Sequence, residues 1–119
     1  MRNCQIRCAI EVHRALAPGL LESAYEQCLA RELALSDVQF QVQAPLPVEY
    51  KDVRLDCGYR VDLFVEKQLI IELKVVEKFL PIHQVQILTY MKLANVSVGL
   101  LMNLNVELLK DGGIKRLVL

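Results

Sequence analysis

YRVDLFVEKQLIIELKVV, residues 59–76, is the stretch whose reading decides the fold. Two β-branched, apolar runs flank Glu66-Lys67-Gln68, so the stretch predicts two strands, residues 59–65 and 69–76, joined by a three-residue loop. Side chains alternate faces along a strand. One face of the first strand then carries Tyr59, Val61, Leu63 and Val65, and one face of the second carries Leu69, Ile71, Leu73 and Val75. The opposite faces carry Arg60, Asp62 and Phe64, and Ile70, Glu72, Lys74 and Val76. A three-residue connection pairs Val65 with Leu69 and brings Asp62 opposite Glu72, with Lys74 two residues further along the same face. Like charges directly opposite one another destabilise a sheet. A hard divalent cation with oxygen ligands would hold two such carboxylates together, and Mg2+ is the usual choice in phosphate chemistry. The competing reading is a solvated salt-bridge face made of Arg60, Asp62, Glu72 and Lys74. Phe64, Ile70 and Val76 beside those charges make it more apolar than an ordinary exposed face, and spacing alone leaves the two readings even.

Outward from this hairpin the elements fall on both sides. Residues 3–17 predict a helix capped by Asn3, with Ile6, Ile10, Val12 or His13, and Leu16 at helical spacing, and Pro18-Gly19 ends it. A second helix over residues 20–35 places Leu21, Tyr25, Cys28, Leu29 and Leu33 on one stripe. Residues 38–43 alternate as a strand, Pro45 and Pro47 suit an edge, and two short extended pieces, residues 48–50 and 53–55, surround Lys51-Asp52. Pro81 opens a third helix, residues 81–93, because its missing N–H costs nothing in the first turn. The apolar run over residues 96–104 predicts a strand covered on both faces, and residues 114–119 a last strand after the turn at residues 111–113. Helices, strands, a helix and strands in that order predict one α/β domain over residues 1–119, a central mixed sheet flanked by helices.

Composition narrows the function classes. Fourteen basic and fourteen acidic residues leave the chain neutral, which argues against non-specific coating of DNA. A mean hydropathy of +0.30 is high for so small a domain and predicts apolar surface covered by a second copy, so a homodimer is the expected assembly. The four cysteines form no CxxC pair, which argues against zinc. Cys4 and Cys8, one helical turn apart, read either as a redox pair or, more commonly, as small buried hydrophobes. The first eleven residues meet charge before any signal-peptide core, and no span is long enough for a membrane helix. Reduced thiols and a cytoplasmic location are the expectation.

Asp62, nine intervening residues and then Glu72-Leu73-Lys74 resemble the D…(D/E)xK core of the PD-(D/E)XK nuclease superfamily. Gly19, Glu22 and Tyr25 further resemble the GxxExxY motif that names a small family within it, and the likeness covers nearly the whole chain. The resemblance implies a restriction-endonuclease-like core and a metal-dependent nuclease acting on nucleic acid, with DNA the expected target and Mg2+, or Mn2+ in its place, as cofactor. It implies Asp62, Glu72 and the Leu73 backbone carbonyl as metal ligands. Glu22 would reach the metal directly or through water, and Lys74 would stand beside the attacking water and the scissile phosphate. Gln86 and Tyr90, a QxxxY pattern on the third helix, would line the site, with Gln86 near the lysine or the metal-bound water. Arg60 would bind phosphate or pair with Glu72. His83 would face the site or simply occupy the first helical turn. Val61 stands where the superfamily motif has proline, which leaves the ligand intact. The rival functions are a catalytically silent nucleic-acid-binding or regulatory module and an oligomeric interaction protein.

Overall fold

Along the chain the elements run α1 (Arg2–Leu16), α2 (Glu22–Leu35), β1 (Phe40–Pro45), β2 (Val48–Tyr50), β3 (Val53–Leu55), β4 (Arg60–Val65), β5 (Leu69–Lys74), α3 (Pro81–Ala94), β6 (Val98–Asn103) and β7 (Ile114–Val118). The structure is a computed structural model that describes residues 2–16 and 18–119, with side chains from residue 4 onward. Asn3, expected as the helix cap, lies within α1, and the helix end at Ala17 lies outside the described residues.

The main sheet has the order β1-β4-β5-β6-β7. β5 and β6 are parallel, with Leu69 opposite Val98 and Lys74 opposite Asn103, and the other neighbours are antiparallel. Parallel strands need a crossover, and α3 supplies it between β5 and β6. β6 is the apolar run seen in the sequence, buried from Gly99 through Asn103. The sheet is therefore mixed and flanked by helices, as expected. β2 and β3 form a separate hairpin whose turn residues, Lys51 (φ 47°) and Asp52 (φ 69°), are both left-handed, the geometry that matches strand twist in a two-residue loop.

Each face of the sheet has its own core. α1 and α2 cover Leu63, Val65, Ile71, Leu73, Leu100 and Met102, while α3 covers Ile70, Leu101 and Leu117 through Ile87, Tyr90 and Met91. α3 sits so close to β6 that a Cβ on Gly99 would lie 2.7 Å from Met91 Sδ. Pro81 occupies its first turn, and the Leu80 N–H that precedes it donates to His83 Nδ1 at 2.9 Å.

Three local expectations are corrected. The buried stripe of α1 is Gln5, Cys8, Ala9, Val12 and His13; Ile6 and Ile10 are only partly buried, and Leu16 and, before α2, Leu21 are 52% and 74% exposed. Small residues face inward because α2 packs closely there, near enough for the Tyr25 hydroxyl to donate to the Ala9 carbonyl. Second, β1 starts at Phe40 rather than residue 38. Third, Val61 belongs to the α3-side core, although Leu63 and Val65 on the same strand face α1 and α2. The alternation breaks at Asp62.

Tyr25 explains itself structurally: its buried hydroxyl ties α2 to α1 and so fixes the helix that begins at Glu22. Tyr25→Phe is expected to cost about 1 kcal/mol, read as a lower urea midpoint at unchanged slope; an unchanged midpoint would remove that role.

Candidate active site

Val65 faces Leu69, Phe64 faces Ile70 and Leu63 faces Ile71, and the paired register ends there, one step before Asp62 and Glu72. At that step the backbone ladder gives way to side chains. Asp62 N–H donates to Glu72 Oε1 at 3.1 Å, and Leu73 N–H donates to Asp62 Oδ2 at 2.8 Å. The other side of β4 is interrupted at the same level. Val42 pairs with Leu63 and Ala44 with Val61, and between them Gln43 adopts φ 52°. Its Nε2 donates to Asp62 Oδ1 at 3.1 Å and to Glu26 Oε2 at 2.8 Å. Asp62 thus stands in a gap between two strands, which is why the facing pattern of β4 changes there.

The acids at this gap are held under electrostatic tension. Glu72 is 6% exposed, and its carboxyl is pushed up to about 8, by burial first and by the Asp62 charge second. Glu22, at the start of α2, is raised by burial and then by Asp62. Glu26, one turn later, is raised by burial, with the Gln43 hydrogen bond opposing and the Asp62 charge adding. Three glutamates therefore feel one aspartate, from two elements.

The cations do not close a salt-bridge face. Among the described residues the ion pair formed is Arg14–Glu11, far along the chain, and neither Arg60 nor Lys74 pairs with Asp62 or Glu72. Lys74 Nζ instead donates to Gln86 Oε1 at 3.4 Å, and Gln86 Nε2 donates to the Tyr90 hydroxyl at 3.1 Å. Tyr90 is buried, its ring 6.0 Å from that of Tyr59, and its hydroxyl is raised by burial and then by Glu72. α3 thereby orients the lysine from the far side of the gap. Arg60 is exposed at the start of β4. His83 spends Nδ1 on the Leu80 N–H and contacts the Phe79 ring edge-on, so it secures the helix start.

A hard divalent cation suits this donor chemistry. Mg2+ commonly takes one or two carboxylates and leaves its remaining positions to water and substrate oxygens. Asp62 and Glu72 supply two carboxylates. The N–H and C=O of a strand residue point to the same side; because Leu73 N–H meets Asp62, its carbonyl faces the same gap. Among the described residues, no three His, Cys, Asp or Glu side chains converge into a finished cage. The fit is to a partly hydrated ion, with Glu22 near enough to raise the local negative potential.

Two site residues escaped the sequence reading. Glu26 carried a faint signal, an acidic repeat one helical turn after Glu22, an arrangement that disfavours a helix unless something uses it. Gln43 carried none, because its place follows from the β1–β4 register and from its left-handed backbone.

A mixed sheet between helices, with an acidic pair and a lysine on adjacent central strands, defines a restriction-endonuclease-like α/β protein. The sequence model of the PD-(D/E)XK nuclease superfamily matches residues 1–117, and the chain belongs to that superfamily. Nucleases of this superfamily generally use divalent metals. No curated protein and no solved structure matches the chain.

Proposed function

We propose that this protein is a metal-dependent nuclease of the GxxExxY family that hydrolyses phosphodiester bonds, with DNA as its expected substrate. The observation that carries the reading is the gap at Asp62 and Glu72, where two carboxylates meet beside a lysine that forms no ion pair with either. Asp62, Glu72 and the Leu73 carbonyl would hold Mg2+ or Mn2+, with Glu22 as an outer partner. When bound, the cation supplies Lewis acidity toward phosphate oxygen. Lys74 places positive charge where the attacked phosphate gains negative charge, and stabilisation there counts most because it acts on the transition state. Gln86 accepts from Lys74 and donates to Tyr90, so the ammonium is aimed before substrate arrives. Arg60, exposed at the strand entrance, suits a contact to a neighbouring phosphate, with Tyr90 and His83 along the α3 wall.

A catalytically silent nucleic-acid-binding module is the second reading, in which Arg60, exposed at the start of β4, and Lys74, without an ion pair to Asp62 or Glu72, would hold phosphate without hydrolysing it. Apolar side chains on the β2–β3 hairpin, Tyr50 at 63% and Val53 at 53% exposure, give a homodimer a surface to use. No helix among the described residues is long and apolar enough to cross a membrane.

Labelled single- and double-stranded DNA and RNA, each offered with Mg2+ or Mn2+, separate the readings. The nuclease reading expects at least one substrate to be cut and the cutting to stop with EDTA. Binding without cutting under either metal would move the assignment to the silent module.

A further inference from the structure

We propose that Gln43, braced by Glu26, is a positioning residue that sets the orientation of the Asp62 carboxylate. The inference rests on the reading of Asp62 as a metal ligand given above.

Both oxygens of Asp62 are held by donors from different strands. Leu73 N–H on β5 takes Oδ2 at 2.8 Å, and Gln43 Nε2 on β1 takes Oδ1 at 3.1 Å. A backbone donor on one oxygen alone would leave the carboxylate free to swing about that bond. The second donor, from the opposite strand, fixes its plane, and each oxygen keeps lone-pair capacity for a cation. Gln43 is itself held, because its amide nitrogen also donates to Glu26 Oε2 at 2.8 Å. Glu26 is 9% exposed on α2, and its partner among the described hydrogen bonds is Gln43. The amide thus lies between two acids as a neutral spacer, giving hydrogen bonds to both and letting them share one small region.

The backbone supports a dedicated role. Gln43 is left-handed at φ 52°, a conformation that non-glycine side chains rarely adopt and that persists where the surroundings impose it. The pairs on either side of it, Val42 with Leu63 and Ala44 with Val61, keep ordinary register, so the irregularity is confined to the residue facing Asp62. Residues that orient a ligand in this way commonly change metal affinity by about 10–100-fold when lost.

Two measurements test the proposal, neither of which reads turnover. Calorimetric titration with Mn2+ is expected to give Gln43→Leu a dissociation constant about 10–100-fold above wild type. Glu26→Leu should weaken binding in the same direction, and Glu26→Gln, whose carbonyl oxygen can still accept from Gln43, should stay closer to wild type than Glu26→Leu. Amide hydrogen exchange without metal is expected to accelerate at Leu73 in Gln43→Leu while Ile71, two residues away on β5, keeps its protection; a general loss of stability would move both. Wild-type affinity in Gln43→Leu with unchanged Leu73 exchange would overturn the proposal. If Leu73 exchange accelerates as expected but wild type shows no saturable Mn2+ binding, the orientation of Asp62 by Gln43 stands and the metal reading is what fails.

Discussion

Lys74→Ala is expected to lower the cleavage rate by about 10²–10³-fold under single-turnover conditions, with Mn2+ affinity changed by no more than about threefold. The asymmetry follows from geometry. Lys74 makes its hydrogen bond to Gln86 on α3 and forms no ion pair with Asp62 or Glu72, so removing it leaves the carboxylates with the donors they already have. What disappears is a positive charge beside the place where the phosphate gains negative charge. Removing the lysine also takes away an attraction that lowers the carboxyls of Glu22 and Glu72 and a repulsion toward the cation, two opposing effects that keep the change in metal affinity small. Loss of metal binding with hydrolysis intact would reverse the assigned roles. Gln86→Leu frees the ammonium from its tether and should give a smaller loss in the same direction.

The second large effect concerns stability. Glu72→Gln should make the metal-free protein more stable above pH 8, by roughly 3–5 kcal/mol, and leave it close to wild type below pH 4.5. Burial and the Asp62 charge raise this carboxyl from 4.5 to about 8. Below 4.5 the side chain is protonated in both folded and unfolded chains and costs little. Between 4.5 and 8 the unfolded chain releases the proton while the folded protein keeps it, so stability falls as pH rises. Above 8 the folded protein must carry a buried charge. Glutamine never ionises, and its carbonyl oxygen can still accept the Asp62 N–H. Thermal unfolding in EDTA across this pH range checks the claim: the gap between the two proteins should open with pH, and a gap that stays constant would refute it. Adding Mn2+ at pH 8.5 should stabilise wild type and leave Glu72→Gln unmoved, because a ligand stabilises only the state that binds it.

The hairpin that governs the site was legible in the sequence because its geometry is local. A three-residue connector fixes the register, and Glu66 and Lys67 take left-handed φ values of 54° and 55° to make the turn. Pro81 marked the start of α3, and the apolar run at residues 96–104 marked the central parallel strand. The α1 face was misread because hydrophobic size and inward direction part company when helices pack closely. Ile6, Ile10 and Leu16 are large, whereas Cys8 and Ala9 are small enough for the Tyr25 hydroxyl to reach the helix backbone. His13 was ambiguous for a similar reason: it is buried, and its Nε2 lies 3.2 Å from the Leu104 carbonyl, a partner ninety-one residues away. Strict alternation on β4 failed at Val61 because the ladder is interrupted on both sides of Asp62, by Gln43 on one strand and by Glu72 on the other. Such interruptions depend on which strands become neighbours, and period-two reading of one strand contains no such information.

The most direct test of the account is a calorimetric Mn2+ titration of wild type and Asp62→Asn at pH 8.5, where Glu72 is largely ionised. Wild type is expected to show a saturable site that Asp62→Asn loses, since asparagine keeps the size of the side chain and gives up its charge. Equal binding by the two proteins, or no saturable binding by wild type, would contradict the assignment of Asp62 and Glu72 as the residues that hold the metal.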